Sequence, residues 1–324
     1  MSLTEIAVLL GLNLALILGV MLALWALALR LKDVSFIDAV WPLGMLLLAL
    51  ATLPRTDGDP IRRGLLVWLC AVWALRLGWH LFRRWRASGA DGRYVELVER
   101  QEREKGWSFG KTALLFVFLP QAAFLWLTCL PVQLGQVAFA PTVGWLGWTG
   151  AVLAVVGIGF ESIGDAQLSA FKKDPANKGK VLDTGLWRYT RHPNYFGDAC
   201  VWWGLYLIAA ETGPGVWAIV GPAFLTFTLT KWSGIGLTEK ATHKSRPGYA
   251  EYVRRTSAFV PWPPKPAEPA RAVAEDAPKP AKARSATPKA APDTAARTAP
   301  RKRPATKSGA NPPKKKPRRR NGGG

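Results

Sequence analysis

The apolar residues of this chain come in runs about as long as a bilayer is thick, and basic residues fill many of the connections. A membrane-spanning helix needs about 20 mostly apolar residues. Seven stretches come close to this length or exceed it, at approximately 5–29, 35–53, 62–82, 112–131, 142–164, 196–212 and 215–232. The last two are short, so the pattern allows six to eight spans and favours seven. We therefore predict an all-α polytopic membrane bundle of about seven transmembrane helices.

The basic residues predict how the bundle lies in its membrane. Lys and Arg concentrate in the connections after the first, third, fifth and seventh runs, whereas the other connections carry few charges. Basic loops stay preferentially on the cytoplasmic side of a membrane. We expect an integral membrane protein of a bacterial inner membrane, with its amino terminus outside and its carboxyl terminus in the cytoplasm.

The composition changes abruptly near residue 263, which divides the chain into a predicted membrane domain, 1–262, and a tail, 263–324. From residue 265 onward there are 17 Lys and Arg against 4 Asp and Glu, so this region carries most of the net charge of +21. Such a Pro-, Ala- and Lys-rich segment cannot bury a core and should be disordered. It is expected to bind anionic lipid, or nucleic acid nonspecifically and in a salt-sensitive way.

The three cysteines give no sign of a metal site. Cys70, Cys129 and Cys200 each lie inside an apolar run, and no C-x-x-C pair is present. Buried thiols that pack as small apolar side chains are the expected result. We predict neither a disulfide nor a bound metal.

A polar, turn-rich stretch, 183–198, separates two of the apolar runs and indicates a binding site. It contains Arg188, Arg191, His192 and Asn194, followed by Asp198. Hydrocarbon offers polar groups no partners, so this concentration indicates a cavity, a ligand or mutual pairing. The start of the following helix favours an anion, and the two arginines could clamp a phosphate. The alternative is an ordinary belt of basic and aromatic residues at the membrane interface.

Two acids at the end of the preceding run belong to the same predicted site. Glu161 and Asp165 are one helical turn apart, so they share a face near the cytoplasmic interface. Their mutual repulsion requires a partner. Lys172, Arg191 or the polar sugars of a nucleotide are the candidates.

Other polar residues, in the amino-terminal half, are also expected to line the site. Asp38 lies beside Trp41 at the mouth of the second run, and Arg76 lies inside the third. An inward Asp38–Arg76 ion pair is one expectation; an anchor for a mostly apolar substrate is the other. A turn at residues 91–94, which holds an Asp, an Arg and a Tyr, is a further candidate for cofactor contact.

Two motifs connect the chain to a known group of enzymes. They are Thr184-Gly-Leu-Trp-Arg-Tyr-Thr-Arg-His-Pro-Asn-Tyr-Phe-Gly-Asp198 and Ser245-Arg-Pro-Gly-Tyr-Ala-Glu-Tyr252. In these motifs the part from 157 to 262 resembles the carboxyl-terminal domain of the steroid 5-alpha-reductase superfamily, in particular its uncharacterised bacterial branch. The resemblance implies a seven-helix fold whose cytoplasmic cavity holds NADPH and opens to lipid.

The resemblance also implies a reaction and roles for residues. The reaction would be reduction of a carbon–carbon double bond conjugated to a carbonyl, in a steroid-, isoprenoid- or fatty enone-like substrate. Tyr195 and Glu239 are the candidate proton donors or carbonyl anchors. The expected cofactor contacts are Glu161, Asp165, Lys172, Lys173, Arg188, Arg191, His192, Asn194, Asp198 and Tyr249. Asp38, Trp41 and Arg76 are expected at the substrate end.

Two other functions remain open. The Arg191-His-Pro-Asn-Tyr195 segment, followed by Glu239 and Gly248-Tyr-Ala-Glu-Tyr252, also resembles isoprenylcysteine carboxyl methyltransferases. This resemblance implies S-adenosylmethionine as the cofactor and His192 as one of its contacts. A membrane scaffold that recruits partners through the basic tail is the non-enzymatic alternative. Deleting the tail distinguishes the classes, since a scaffold should lose its function and an enzyme should keep its turnover.

Overall fold

The structure, a computed structural model, describes residues 1–232, 234–236, 239 and 246–266. Within this part of the chain the secondary structure is helical, apart from one isolated β-bridge between Thr190 and Ser257. The all-α prediction is therefore confirmed. From residue 267 onward the predicted disordered tail lies outside the described residues.

Each of the seven predicted apolar segments contains a helix, and three further helices, α4, α6 and α10 in the order below, lie between or after them. In chain order they are α1 (Leu3–Leu31), α2 (Ile37–Arg55), α3 (Pro60–Ser88), α4 (Gly92–Lys105), α5 (Phe109–Thr128), α6 (Leu130–Leu134), α7 (Trp145–Lys173), α8 (Pro193–Ala209), α9 (Gly213–Trp232) and α10 (Tyr249–Arg255). Six of these helices, α1, α2, α3, α5, α7 and α9, are long and apolar enough to cross a membrane. The remaining predicted span, 196–212, forms α8, which has only 17 residues. The chain is a polytopic membrane protein.

The ends of the helices follow local sequence signals. Ser2 caps α1 in a capping box with Glu5, and Asp59 caps α3 by accepting a hydrogen bond from the backbone of residue 62. Such caps satisfy backbone N–H groups that have no partner inside the helix. Gly106 ends α4 with a φ of 63°, a left-handed conformation that favours glycine. Polar or glycine residues therefore mark the starts of α1 and α3 and the end of α4.

Glycines bring α7 and α8 into backbone contact along their length. A Cβ added to Gly157 would lie 2.6 Å from the carbonyl oxygen of Gly197, and one added to Gly204 would lie 2.5 Å from that of Gly150. Small residues permit this close packing of membrane helices. The polar residues at the carboxyl end of α7 are thereby held directly against the first turns of α8.

The two ends of the bundle differ in chemistry. We call one end, which comprises residues 30–36, 83–108, 172–192 and 246–266, the basic end. At this end the indole N–H of Trp85, near the end of α3, donates to Asp33 in the loop between α1 and α2 at 2.8 Å. At the opposite end the fully buried Arg62 donates to the carbonyl of Ile208 and pairs with Glu211 at 3.3 Å. Each end is thus closed by polar contacts between helices distant in sequence.

Candidate functional site

Five polar residues from three helices meet inside the basic half of the bundle. Arg76 of α3 forms ion pairs with Glu161 and with Asp165 of α7, the latter with 2.7 Å between Nη1 and Oδ2. Asn194 of α8 donates to Asp165 Oδ1 at 3.3 Å. Asp198 follows one turn later on α8. We call Arg76, Glu161, Asp165, Asn194 and Asp198 the buried acid cluster.

The acids of this cluster are shielded from solvent but incompletely paired. Glu161, Asp165 and Asp198 are 3%, 6% and 8% exposed. Trp73 donates its indole N–H to Glu161 at 3.1 Å. Asp198 Oδ1, in contrast, finds no hydrogen-bond partner among the described residues. Three carboxylates therefore face one guanidinium in an apolar bundle, which leaves room for a further hydrogen-bond donor.

The structure corrects the expected Asp38–Arg76 pair. Arg76 points to the acids of α7, and it is the partner that repulsion between Glu161 and Asp165 requires. Asp38 instead accepts a hydrogen bond from Tyr94 at 2.7 Å and pairs with Arg93 at 3.0 Å. The sequence predicted that both residues need partners, but spacing along the chain could not choose between them.

The contacts of Asp38 build a second polar group, which we call the Asp38 cluster: Asp38, Arg84, Asp91, Arg93 and Tyr94. Arg84 approaches Asp38 to 3.5 Å, and Arg93 also pairs with Asp91 at 2.9 Å. Burial and the neighbouring charge of Asp38 raise the pKa of Tyr94 well above its usual value. The Tyr94 hydroxyl is therefore a neutral hydrogen-bond donor at physiological pH.

A cavity of about 330 Å³ opens beside the Asp38 cluster. Its lining includes Ser35, Asp38, Arg84 and Asp91, together with Lys172 from the end of α7. Asp91 and Gly92 of the turn at residues 91–94 line this cavity together with Lys172 of α7. Two acids balance the two cations of this lining, and Arg84 is paired with Asp38, while Lys172 is a cation that can contact an anionic group.

The loop before α8 forms a third group with Glu239. Arg191 donates from Nε to Glu239 Oε1 at 2.7 Å, and His192 Nε2 lies 3.2 Å from the same oxygen. Tyr195 stacks on the His192 ring with 5.2 Å between centroids. Tyr249 belongs to the same group, since burial and the nearby charge of Glu239 raise its pKa to about 12. We call Arg191, His192, Tyr195, Glu239 and Tyr249 the Glu239 cluster.

The partners of Glu239 determine its ionisation. Burial by itself would raise its pKa, but hydrogen bonds from His192 and Arg191 and the charge of Arg191 lower it to about 2. Glu239 is therefore a carboxylate at physiological pH. It can accept a hydrogen bond or balance a positive charge, and it holds no proton to donate.

The carboxyl-terminal segment is tied across this loop. The backbone N–H of Arg191 donates to the carbonyl of Ser257 at 2.9 Å, and that of Trp262 donates to the carbonyl of Tyr189 at 2.9 Å. The Tyr252 hydroxyl donates to the carbonyl of Trp187 at 2.5 Å. Residues 249–262 therefore cover the stretch that the sequence singled out.

The remaining predicted contacts are distributed around these groups. Arg188 lines a second cavity, of about 310 Å³, together with Lys180 and Arg255. Lys173 lies exposed at the end of α7, and Trp41 is half-buried on α2. Trp41 Nε1 has no hydrogen-bond partner among the described residues. These positions surround the clusters without joining them.

Sequence reasoning missed two residues that the structure adds. Trp73 supports Glu161, and Arg84 lines the cavity beside Asp38. Both lie on the face of α3 that carries Arg76, three residues before it and eight after it. Helical spacing from Arg76 was the signal that could have identified them.

The family of the chain follows from a match across these clusters. A family model described as a protein of unknown function matches residues 24–256, from the end of α1 to the end of α10. The chain belongs to the DUF1295 family. This DUF1295 region contains the buried acid cluster, the Asp38 cluster and the Glu239 cluster.

A distant relative extends beyond the DUF1295 region. The chain is 25% identical over 283 residues to an uncharacterised protein of Schizosaccharomyces pombe, C594.04c, in an alignment that covers 78% of each chain. No solved structure matches the chain.

Proposed function

We propose that this DUF1295 protein is an integral membrane reductase of the steroid 5-alpha-reductase superfamily. It would use NADPH to reduce a carbon–carbon double bond conjugated to a carbonyl in a lipophilic substrate. The observation that carries the proposal is the buried acid cluster, whose Asp198 has an unpartnered oxygen deep in an apolar bundle. Buried polar residues in membrane helices generally serve a ligand or a transport path.

Residues of the basic end and of the neighbouring buried acid cluster offer contacts for a dinucleotide. Arg84 and Lys172 line a cavity in which Lys172 can contact its phosphates. Asp165, Asn194 and Asp198 offer carboxylate and amide groups that can hold ribose hydroxyls or a carboxamide. When bound, NADPH would supply the hydride. The protein supplies the polar groups that bind and orient the cofactor, and the apolar helices that accommodate the substrate.

Tyr195 is the better candidate for the group that holds the substrate carbonyl. Its hydroxyl can donate a hydrogen bond to a carbonyl, and its ring is fixed by stacking on His192. Glu239 would act indirectly, since its carboxylate orients His192 and Arg191. A Tyr195→Phe variant should therefore lose turnover while retaining cofactor binding.

The proposed function places the basic end in the cytoplasm, where NADPH is available. The predicted orientation, with the amino terminus outside a bacterial inner membrane, agrees with this placement because basic loops remain cytoplasmic. Single cysteines introduced at the two ends test it. Asp57 lies between α2 and α3, away from the basic end, and Glu99 lies on α4 at the basic end; both are exposed. In intact cells, a thiol reagent that does not cross membranes should label a cysteine at position 57 but not one at position 99.

Cofactor titration tests the proposal directly. NADPH and S-adenosylmethionine are titrated side by side into detergent-purified protein, and binding is measured by calorimetry. We expect saturable NADPH binding that is lost in Asn194→Ala and Asp198→Ala. The matched control is Asn177→Ala, whose side chain caps a surface turn away from the clusters. NADPH affinity retained in both cluster variants would refute the proposal.

A methyltransferase of the isoprenylcysteine carboxyl methyltransferase type is the second candidate. The observation that favours it is the convergence of Arg191 and His192 on Glu239, since all three belong to the residues that carry this resemblance. Binding of S-adenosylmethionine alone, lost in Glu239→Gln, would favour this function. Binding of neither cofactor would favour a scaffold, whose function should disappear when the chain is shortened to residue 262.

A further inference from the structure

The carboxylates of the buried acid cluster outnumber its cations. Arg76 pairs with Glu161 and Asp165, whereas the third acid, Asp198, is 8% exposed and has an oxygen with no partner among the described residues. A lone ionised carboxylate is strongly unfavourable in apolar surroundings and generally takes up a proton instead. Asp198 is therefore the member of the cluster that most needs a proton.

The charged groups around Asp198 come from α3 and α7. From α3, Arg76 faces it with positive charge, and from α7, Asp165 and Glu161 face it with negative charge. Its own helix contributes the neutral amide of Asn194 one turn earlier. Carboxylates that share one site rarely ionise together, so one of them keeps a proton.

A histidine lies between this cluster and the cavity at the basic end. His80 follows Arg76 by one turn of α3, and its Nε2 lies 3.9 Å from Asp165 Oδ2. Its side chain is 28% exposed, and the charges of Arg84 and Lys172, which line the cavity, act on it. Histidine gains and loses a proton near physiological pH more readily than other side chains.

We propose that Asp198 holds a proton in the buried acid cluster and that His80 exchanges this proton with the cavity at the basic end. The proton-holding site does not depend on which cofactor the protein uses. Reduction of a conjugated double bond consumes one proton as well as one hydride. On the proposed reductase function, and only there, this site would also supply that proton to the substrate.

Infrared spectroscopy of the cofactor-free protein in lipid nanodiscs tests the position of the proton. At neutral pH the wild type should show the carbonyl-stretching band of a protonated carboxylic acid, and the band should shift in D2O. We expect it to disappear in Asp198→Asn and to persist in Glu251→Gln, a control at an exposed acid of α10. Absence of the band from the wild type, or its loss only in Glu161→Gln, would overturn the proposal.

A second variant covers the case in which Asp198→Asn does not fold. Asp198→Glu keeps an acid in the cluster and changes its position, so the band should move without disappearing. A band at the wild-type frequency in this variant would assign the proton to another acid. Because no cofactor is present, these results do not depend on whether NADPH binds.

The time course of the D2O shift tests the role of His80. Exchange should be slower in His80→Gln than in the wild type and should be restored by added imidazole. Imidazole should leave the wild-type rate unchanged. An unchanged rate in His80→Gln, or a slow rate that imidazole does not restore, would show that His80 has no part in the exchange.

Discussion

Replacing Arg76 by methionine should destabilise the protein strongly, because two buried carboxylates depend on one guanidinium. The side chains of Glu161 and Asp165 are 4% and 8% exposed, and that of Arg76 is 22% exposed. Removing one partner of a buried ion pair destabilises a protein by about 3–5 kcal/mol, because the other charge remains buried. The partial exposure of Arg76 favours the lower part of this range, so we expect a loss of about 3 kcal/mol in the free energy of unfolding.

Unfolding in mixed micelles, followed by circular dichroism as the denaturing detergent increases, measures this loss. Arg84→Met is the matched control, since its 48%-exposed side chain pairs with Asp38 at 3.5 Å and should contribute less than about 1 kcal/mol. Adding Glu161→Gln and Asp165→Asn to Arg76→Met should recover most of the stability, because the two carboxylates that pair with Arg76 are then neutral amides. A loss no larger than that of Arg84→Met, or no recovery in the triple variant, would refute the reasoning.

Three further predictions concern other contacts. Gly157→Ala, whose added Cβ would lie 2.6 Å from a backbone oxygen of α8, should lose about 1–3 kcal/mol of stability in the same assay, whereas Gly159→Ala, with nothing within 4 Å, should not. Tyr252→Phe removes a 2.5 Å hydrogen bond to a backbone carbonyl and should lose about 1 kcal/mol, visible as a lower melting temperature. Because the pKa of Glu239 is lowered from 4.5 to about 2, its contribution to stability is complete above pH 4.5 and disappears as the pH falls through about 2. Unfolding measured against pH should therefore show the wild type more stable than Glu239→Gln above pH 4.5 and equal to it near pH 2.

The sequence predicted the helices well because membrane helices must be long, apolar and internally hydrogen-bonded. Each apolar run located its helix, although α3 and α7 extend six and nine residues beyond the predicted ends at 82 and 164. The same rule explains why α8 was the ambiguous element: its first turns carry Asn194 and Asp198, so its apolar part is short. Burial of these polar turns against α7, which an apolar pattern does not reveal, accounts for the short helix.

The candidate site was only partly predictable. Composition identified Glu161, Asp165, Asn194 and Asp198 as residues that need partners, and the structure brings these four together. The partner itself, Arg76, lies 89 positions from Asp165 in the sequence. Choosing it over Lys172 requires knowing which face of α3 meets α7, and three-dimensional packing determines that face.

The glycine contacts between α7 and α8 explain why the acids meet at all. A Cβ added to Gly197 would lie 2.5 Å from the backbone nitrogen of Glu161, so the two helices touch at Glu161 itself, directly beside Asp198. An Ala or larger residue at Gly157 or Gly197 would separate the helices and give the carboxylates space to reach water. The same close packing therefore excludes solvent and concentrates negative charge around Arg76. Those are the conditions under which a carboxyl group in a membrane keeps a proton.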